Sequence, residues 1–228
     1  MLTLILGDTE LELVPSGILS HPSAVANARI RGKKADKIIL DSSVHHSAIK
    51  KLPGNDNLRR GRPDIAHQFL LLSLDSILNI EKKLKVMIHT RNNDVISIMP
   101  ETRIPKNYNR FVGLMEQLFE TGKVPPGSEN PLITLEKGVE LKTLIKNLDA
   151  NHTVALSPEG KPTKLGTYFT KLKEKDITCI IGGFPEGDFR SPVYEIVDDK
   201  ISIHKDALKV WTVTSELIVN YELATHPE

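Results

Sequence analysis

Short apolar runs alternate with stretches of helical period along most of this 228-residue chain, and the alternation predicts an α/β fold on a mostly parallel sheet with helices on both faces. Leu2–Leu6 reads as a strand, the segment after His21-Pro22-Ser23 as a helix, and Lys37–Leu40 as a second strand, a β-α-β order. Pro63 and Asp64 suit the first turn of a helix that runs through Leu72 to about Asp75. Lys85–Thr90 and Val95–Met99 flank Arg91-Asn-Asn-Asp94, a hairpin pattern with asparagines where left-handed backbone is needed. Phe111, Leu114, Met115, Leu118 and Phe119 recur at i, i+3, i+4, i+7 and i+8, one face of a helix.

The segment Thr121–Pro131 is rich in turn residues and long enough for a mobile loop between two lobes, and Pro53–Asn57 reads as a shorter loop. Beyond them the pattern predicts a helix near Val139–Leu148, a strand Thr153–Ser157, a helix Leu165–Lys173, a strand Ile177–Gly182, a short strand near Lys200–Ile203 and a final helix from about Leu208 to Leu223. No internal repeat or low-complexity tract interrupts this order. One elaborated domain fits the length. No apolar run approaches the roughly 20 residues that span a bilayer, and the first residues lack the order of a signal peptide, so a soluble intracellular protein is expected.

Charge adds a local feature that the net value of +1 conceals. Six of the nine arginines, Arg59, Arg60, Arg62, Arg91, Arg103 and Arg110, fall in one stretch of the first half. Such clustering suits an RNA-binding footprint, and equally a solvated surface. The single cysteine, Cys179, lies within the apolar run Asp176–Ile181, a buried strand position rather than a reactive thiol.

Candidate chemistry is sparse. Ile181-Gly-Gly-Phe-Pro-Glu-Gly187 ends a strand with glycines that let backbone amides approach a ligand, although an ordinary tight turn would look the same. It lacks the Gly-Lys-Ser/Thr ending of a phosphate loop, and so does Glu159-Gly-Lys-Pro-Thr163. His45 and His46 are adjacent without metal-site spacing, and no Gly-x-Ser-x-Gly elbow is present. Chemistry that needs neither a metal nor a covalent intermediate fits this pattern, and methyl transfer from a sulfonium donor is of that kind.

Three separated motifs carry a resemblance. Arg62-Pro-Asp-Ile-Ala-His-Gln68 with Leu74-Asp-Ser76, Thr102-Arg-Ile-Pro-Lys-Asn-Tyr-Asn-Arg-Phe111 running into Gly113-Leu-Met115, and Gly182-Gly-Phe-Pro-Glu-Gly187 together resemble the small-subunit ribosomal RNA pseudouridine-N1-methyltransferases of the SPOUT superfamily. Leu40-Asp-Ser-Ser-Val-His-His46 matches as well, so the likeness spans nearly the whole chain.

The resemblance implies one SPOUT methyltransferase domain over residues 1–228, with a C-terminal trefoil knot and an inserted RNA-binding hairpin and helix region around 84–120. It implies S-adenosylmethionine as cofactor, held by Leu156, Gly182, Gly187, Ile203, His204, Lys205, Asp206, Ala207 and Leu208, largely through backbone and apolar contacts. For RNA it implies Arg62, Asp64, Arg103, Lys106 and Arg110. Lys106 stands where arginine is common in the family; it keeps the charge and loses the planar fork. No general base is assigned: Asp64 is a candidate whose better-fitting role is to orient Arg62. The implied partners are small-subunit ribosomal RNA and a second copy of the chain, without a metal or a membrane, in a prokaryote-type cytoplasm or a nucleolus. Two alternatives stay open: a non-catalytic RNA-binding assembly factor, and a SPOUT ribose 2′-O-methyltransferase.

Overall fold

The computed structural model describes residues 1–54, 57–172 and 175–225. Eight strands form one sheet: β1 (Leu2–Thr9), β2 (Leu84–Thr90), β3 (Val95–Ile98), β4 (Lys123–Val124), β5 (Ile133–Glu136), β6 (His152–Pro162), β7 (Ile177–Gly182) and β8 (Asp199–Ser202). Their spatial order is β4-β5-β3-β2-β1-β7-β6-β8. The five strands from β2 to β8 along this order are mutually parallel, whereas β3, β5 and β4 extend the sheet antiparallel.

Every residue of β1 is buried, because helices cover both sheet faces and a doubly covered strand reads as a continuous apolar run. Leu2, Leu4 and Leu6 pack on the side of α3 (Pro63–Leu74), α5 (Tyr108–Thr121), α7 (Leu165–Leu172) and α8 (Val210–Thr225), against Phe69, Phe111, Phe169 and Leu217. Ile5 faces the other side, with Ile180, Ala155 and the residues Leu141, Leu144 and Ile145 of α6 (Leu141–Asn147). The remaining helices are α1 (Pro22–Ile30), α2 (Ser42–Ile49) and the short α4 (Ile77–Ile80).

Several expectations need correction. Lys37–Leu40 is not a strand of the sheet. A 3-10 turn takes up Ala35–Lys37, and Ile39 makes only an isolated antiparallel bridge to Leu13, with Leu40 N–H donating to Glu12 O at 2.9 Å. The parallel neighbours of β1 come instead from far along the chain, β2 and β7. Thr121–Pro131 does not divide two lobes, since β4 lies within it and β5, just beyond, pairs with β3 in the same sheet. Of the region around 84–120, β2 is a central strand beside β1, while the hairpin partner β3 and α5 build outward from it. The expected hairpin turn places Asn93 in the left-handed region, at φ 61°. Asn55 and Asp56 of the Pro53–Asn57 loop, and Lys173 at the end of the expected Leu165–Lys173 helix, lie outside the described residues. Among the described residues, no helix is long and apolar enough to cross a membrane.

Candidate functional site

Ligand sites in open α/β sheets form where loops leave the carboxyl ends of parallel strands. Here the loop after β7 bends sharply over the end of β1. Gly183 N–H donates to Gly7 O at 2.8 Å and Gly183 O accepts Glu10 N–H at 3.0 Å. A Cβ on Gly183 would come within 2.7 Å of Thr9 Cα, so only glycine permits this approach. Gly187 has φ +80° and needs glycine for its backbone; a Cβ on Gly182 would meet the Phe184 ring at 2.5 Å.

The loop borders a cleft whose other walls are Leu156-Ser157-Pro158, where β6 emerges from the sheet's buried interior, and the segment from Ser202 to Val213 that joins β8 to α8. Ser202 Oγ donates to His204 O at 2.7 Å and Asp206 N–H donates to His204 Nδ1 at 3.1 Å, which folds this segment into a compact turn. His204 is thus occupied in local hydrogen bonding, its side chain half exposed. Leu156, Gly182, Gly187, Ile203, His204, Asp206, Ala207 and Leu208 all line this cleft. Lys205, next to them in sequence, does not. The cleft also takes Phe184, from the glycine motif, and Tyr194 and Trp211, which no motif contains. The Tyr194 hydroxyl donates to Asp188 Oδ1 at 2.6 Å; burial first, then this bond, raise the phenol above its ordinary range and keep it protonated.

Arg62, from the first motif, lines the same cleft. Its Nε and Nη2 donate to the two oxygens of Asp64 at 2.8 and 2.7 Å, a forked pair that fixes the guanidinium plane and raises its pKa still further. Nearby, the Tyr108 hydroxyl donates to Asp41 Oδ2 at 2.5 Å, and Asp41 in turn caps α2 through Ser43 N–H. Arg103 and Lys106 border a separate groove with Leu71, Leu74 and Ile104. Arg110 belongs to neither; it is exposed in the first turn of α5, where its N–H is capped by Asn107 Oδ1 at 3.1 Å.

The clustered arginines therefore divide. Arg59 Nε donates to Glu10 Oε1 at 2.8 Å, Arg60 forks onto Glu12 at 2.8 and 2.7 Å, and Arg91 pairs with the same Glu10. Both glutamates are buried. Asp8, also buried, takes N–H groups of Arg190 and Ser191 at 2.7 and 2.8 Å and the Ser191 hydroxyl at 2.7 Å, tying down the chain just past the glycine loop. Burial pushes its pKa up, but the His89 ring and the Ser191 bonds outweigh this and hold the carboxyl at about 2. Among the described residues, no cluster of His, Cys, Asp or Glu is arranged to hold a metal ion.

A family model described as EMG1/NEP1 methyltransferase matches residues 4–222. A protein of Methanothrix thermoacetophila named ribosomal RNA small subunit methyltransferase Nep1 is 50% identical over 223 residues, covering 97% of this chain and 96% of its own. A protein of the same name from Pyrococcus furiosus is 47% identical over 224 residues, covering 97% and 96%. Among solved structures, Archaeoglobus fulgidus Nep1 bound to S-adenosylhomocysteine matches with a TM-score of 0.85 at 36% identity, over 97% of each chain.

Proposed function

The chain belongs to the EMG1/NEP1 methyltransferase family, and from that premise we propose that it transfers a methyl group from S-adenosylmethionine to N1 of a pseudouridine in small-subunit ribosomal RNA, within small-subunit biogenesis. The observation that carries this reading is a single cleft that Arg62 of the RNA motif shares with eight of the nine residues expected at the cofactor.

The cleft suits an adenosine ligand. Leu156, Ile181, Ile203 and Leu208 offer apolar surface to a purine, Ser157 and Ser202 add hydroxyl groups, and Gly182 and Gly187 leave backbone bare. S-adenosylhomocysteine in the Archaeoglobus relative is a ligand of this class. When bound, S-adenosylmethionine supplies an electrophilic methyl group on its sulfonium, so the chain's own part is to bind, align and exclude water. Both oxygens of Asp64 accept from Arg62, which fits Asp64 as the holder of that guanidinium. Arg62 at the mouth guides the splayed base, while Arg103, Lys106 and Arg110 hold the RNA around it.

The same reading takes residues 1–228 as one methyltransferase domain whose hairpin and helix around 84–120 serve RNA binding. It includes a C-terminal trefoil knot, a homodimer and a cytoplasmic location. Support for the dimer comes from α8, on which Val219 and Leu223, one turn apart, are exposed apolar residues. Radiolabelled S-adenosylmethionine with small-subunit RNA fragments tests the reaction. Label should enter only fragments carrying pseudouridine, and on the base. Ribose labelling of uridine fragments would establish a 2′-O-methyltransferase instead, and cofactor-free RNA binding without label an assembly factor.

A further inference from the structure

Three arginines surround two buried carboxylates just past β1, Glu10 and Glu12. Arg59 also reaches the glycine loop. Beyond its bond to Glu10, its Nη1 donates to Asp188 O at 2.8 Å, across 129 positions of sequence. Its guanidinium carbon lies 4.2 Å from the centre of the Phe184 ring, a cation–π distance. A Cβ on Gly187 would stand 3.3 Å from the same Nη1. One buried side chain therefore touches the glycine loop at its start, its turn and its end. The support beneath is Glu10, whose N–H donates to Gly183 O at 3.0 Å and whose carbonyl accepts Arg62 N–H at 2.9 Å.

We propose that Arg59 is a positioning residue for methyl-donor binding: braced on Glu10, it holds Phe184 and the Asp188 carbonyl so that Gly182–Gly187 keeps the shape that receives S-adenosylmethionine. The inference rests on reading the cleft as the cofactor site. Charge compensation alone would ask only for a cation beside Glu10, which Arg91 already supplies. A planar fork is what reaches a carboxylate and a carbonyl while lying flat on a ring, and a lysine ammonium cannot do all three.

Arg59→Lys in the full chain separates the two roles, because it keeps the charge beside Glu10 and removes the fork. Trp211 is the only tryptophan and lines the cleft, so its fluorescence reports S-adenosylhomocysteine binding directly. With the fold intact, we expect S-adenosylhomocysteine affinity to fall on the order of tenfold, the loss of one hydrogen bond from a charged donor. KM for S-adenosylmethionine should rise more than kcat falls, and affinity for the RNA loop should stay within about twofold. Amide exchange at residues 183–189 should quicken in the unliganded protein while β1 and β7 stay protected. Wild-type affinity and loop protection in Arg59→Lys would reduce Arg59 to a counter-charge and overturn the proposal. Should the lysine variant not fold, Phe184→Leu removes the ring beneath the guanidinium, and unchanged loop exchange there would overturn it equally. Wild-type protein that fails to bind S-adenosylhomocysteine would instead remove the cofactor reading on which the inference stands.

Discussion

Arg59 and Arg62 stand three residues apart and face opposite ways, one into the protein beneath the glycine loop and the other to the mouth of the cleft. Arg103 and Arg110 are exposed, so replacing them leaves the core intact. In Arg103→Ala/Arg110→Ala we expect a folded protein whose S-adenosylhomocysteine affinity is unchanged. Each lost phosphate contact should lower the magnitude of the salt slope of RNA binding by about 0.7–0.9, and a lost base contact should instead weaken the cognate loop alone by about 1–3 kcal/mol. RNA titrations across salt distinguish these, and wild-type affinity throughout would rule out the RNA face. Asp8 offers a pH test. Its folded pKa of about 2 lies below the ordinary 3.8, so its contribution is present above pH 3.8 and disappears as pH falls through 2. Asp8→Asn should therefore unfold about 2 kcal/mol more easily than wild type at neutral pH, with the gap closing between pH 4 and 2 in denaturant titrations. Which of the clustered arginines are internal was only half legible in the sequence. Arg62, Arg103 and Arg110 sit in recognisable motifs, whereas Arg59, Arg60 and Arg91 are marked as internal only by Glu10 and Glu12, residues 48 to 81 positions away that tertiary contact alone brings near.

Elements with strong local signals were readable, and those defined by distant partners were not. The helix α5 declares itself by its apolar spacing, and the structure adds an Asn107 N-cap and Gly122 at its left-handed end. Asn107→Ala removes the acceptor for Arg110 N–H, and thermal or denaturant unfolding should register a loss of about 1 kcal/mol. RNA affinity should fall with it, because the first turn of α5 carries Arg110. By contrast α2 carries no strong local signal: Ser42, Ser43, His45, His46 and Ser47 are indifferent helix formers, and what holds the helix is the Asp41 cap and burial of Ala48 and Ile49. Ile38-Ile39-Leu40 misled for the complementary reason, since a buried apolar run looks like a strand whether or not a sheet is beside it. The strand β5 is four residues long and exists by virtue of its pairing with β3 and β4, which no local pattern reveals. In the cleft, the glycines are legible through their motif, and Ile203–Leu208 only through the family resemblance. Tyr194 and Trp211 were not, because an aromatic residue announces bulk and not which surface it faces.

At the scale of the whole molecule, the exposed apolar residues of α8 call for a cover. Val219→Asp/Leu223→Asp should convert a dimer to monomer in sedimentation velocity at micromolar concentration without unfolding it; wild type that already sediments as a fully active monomer would dismiss the dimer. The sheet order has a further consequence, for the order in which the protein can be made. Strand β1 is flanked by β2 on one side and β7 on the other, pairing Leu2 with both Leu84 and Ile177. A ribosome adding about 5–20 residues per second delivers β7 roughly 10–35 s after β1. Throughout that interval a strand whose every residue is destined for the interior has one edge unclaimed, and the floor of the cleft does not exist. The cleft thus cannot close over the end of β1 until β7, which carries the glycine loop, has been made.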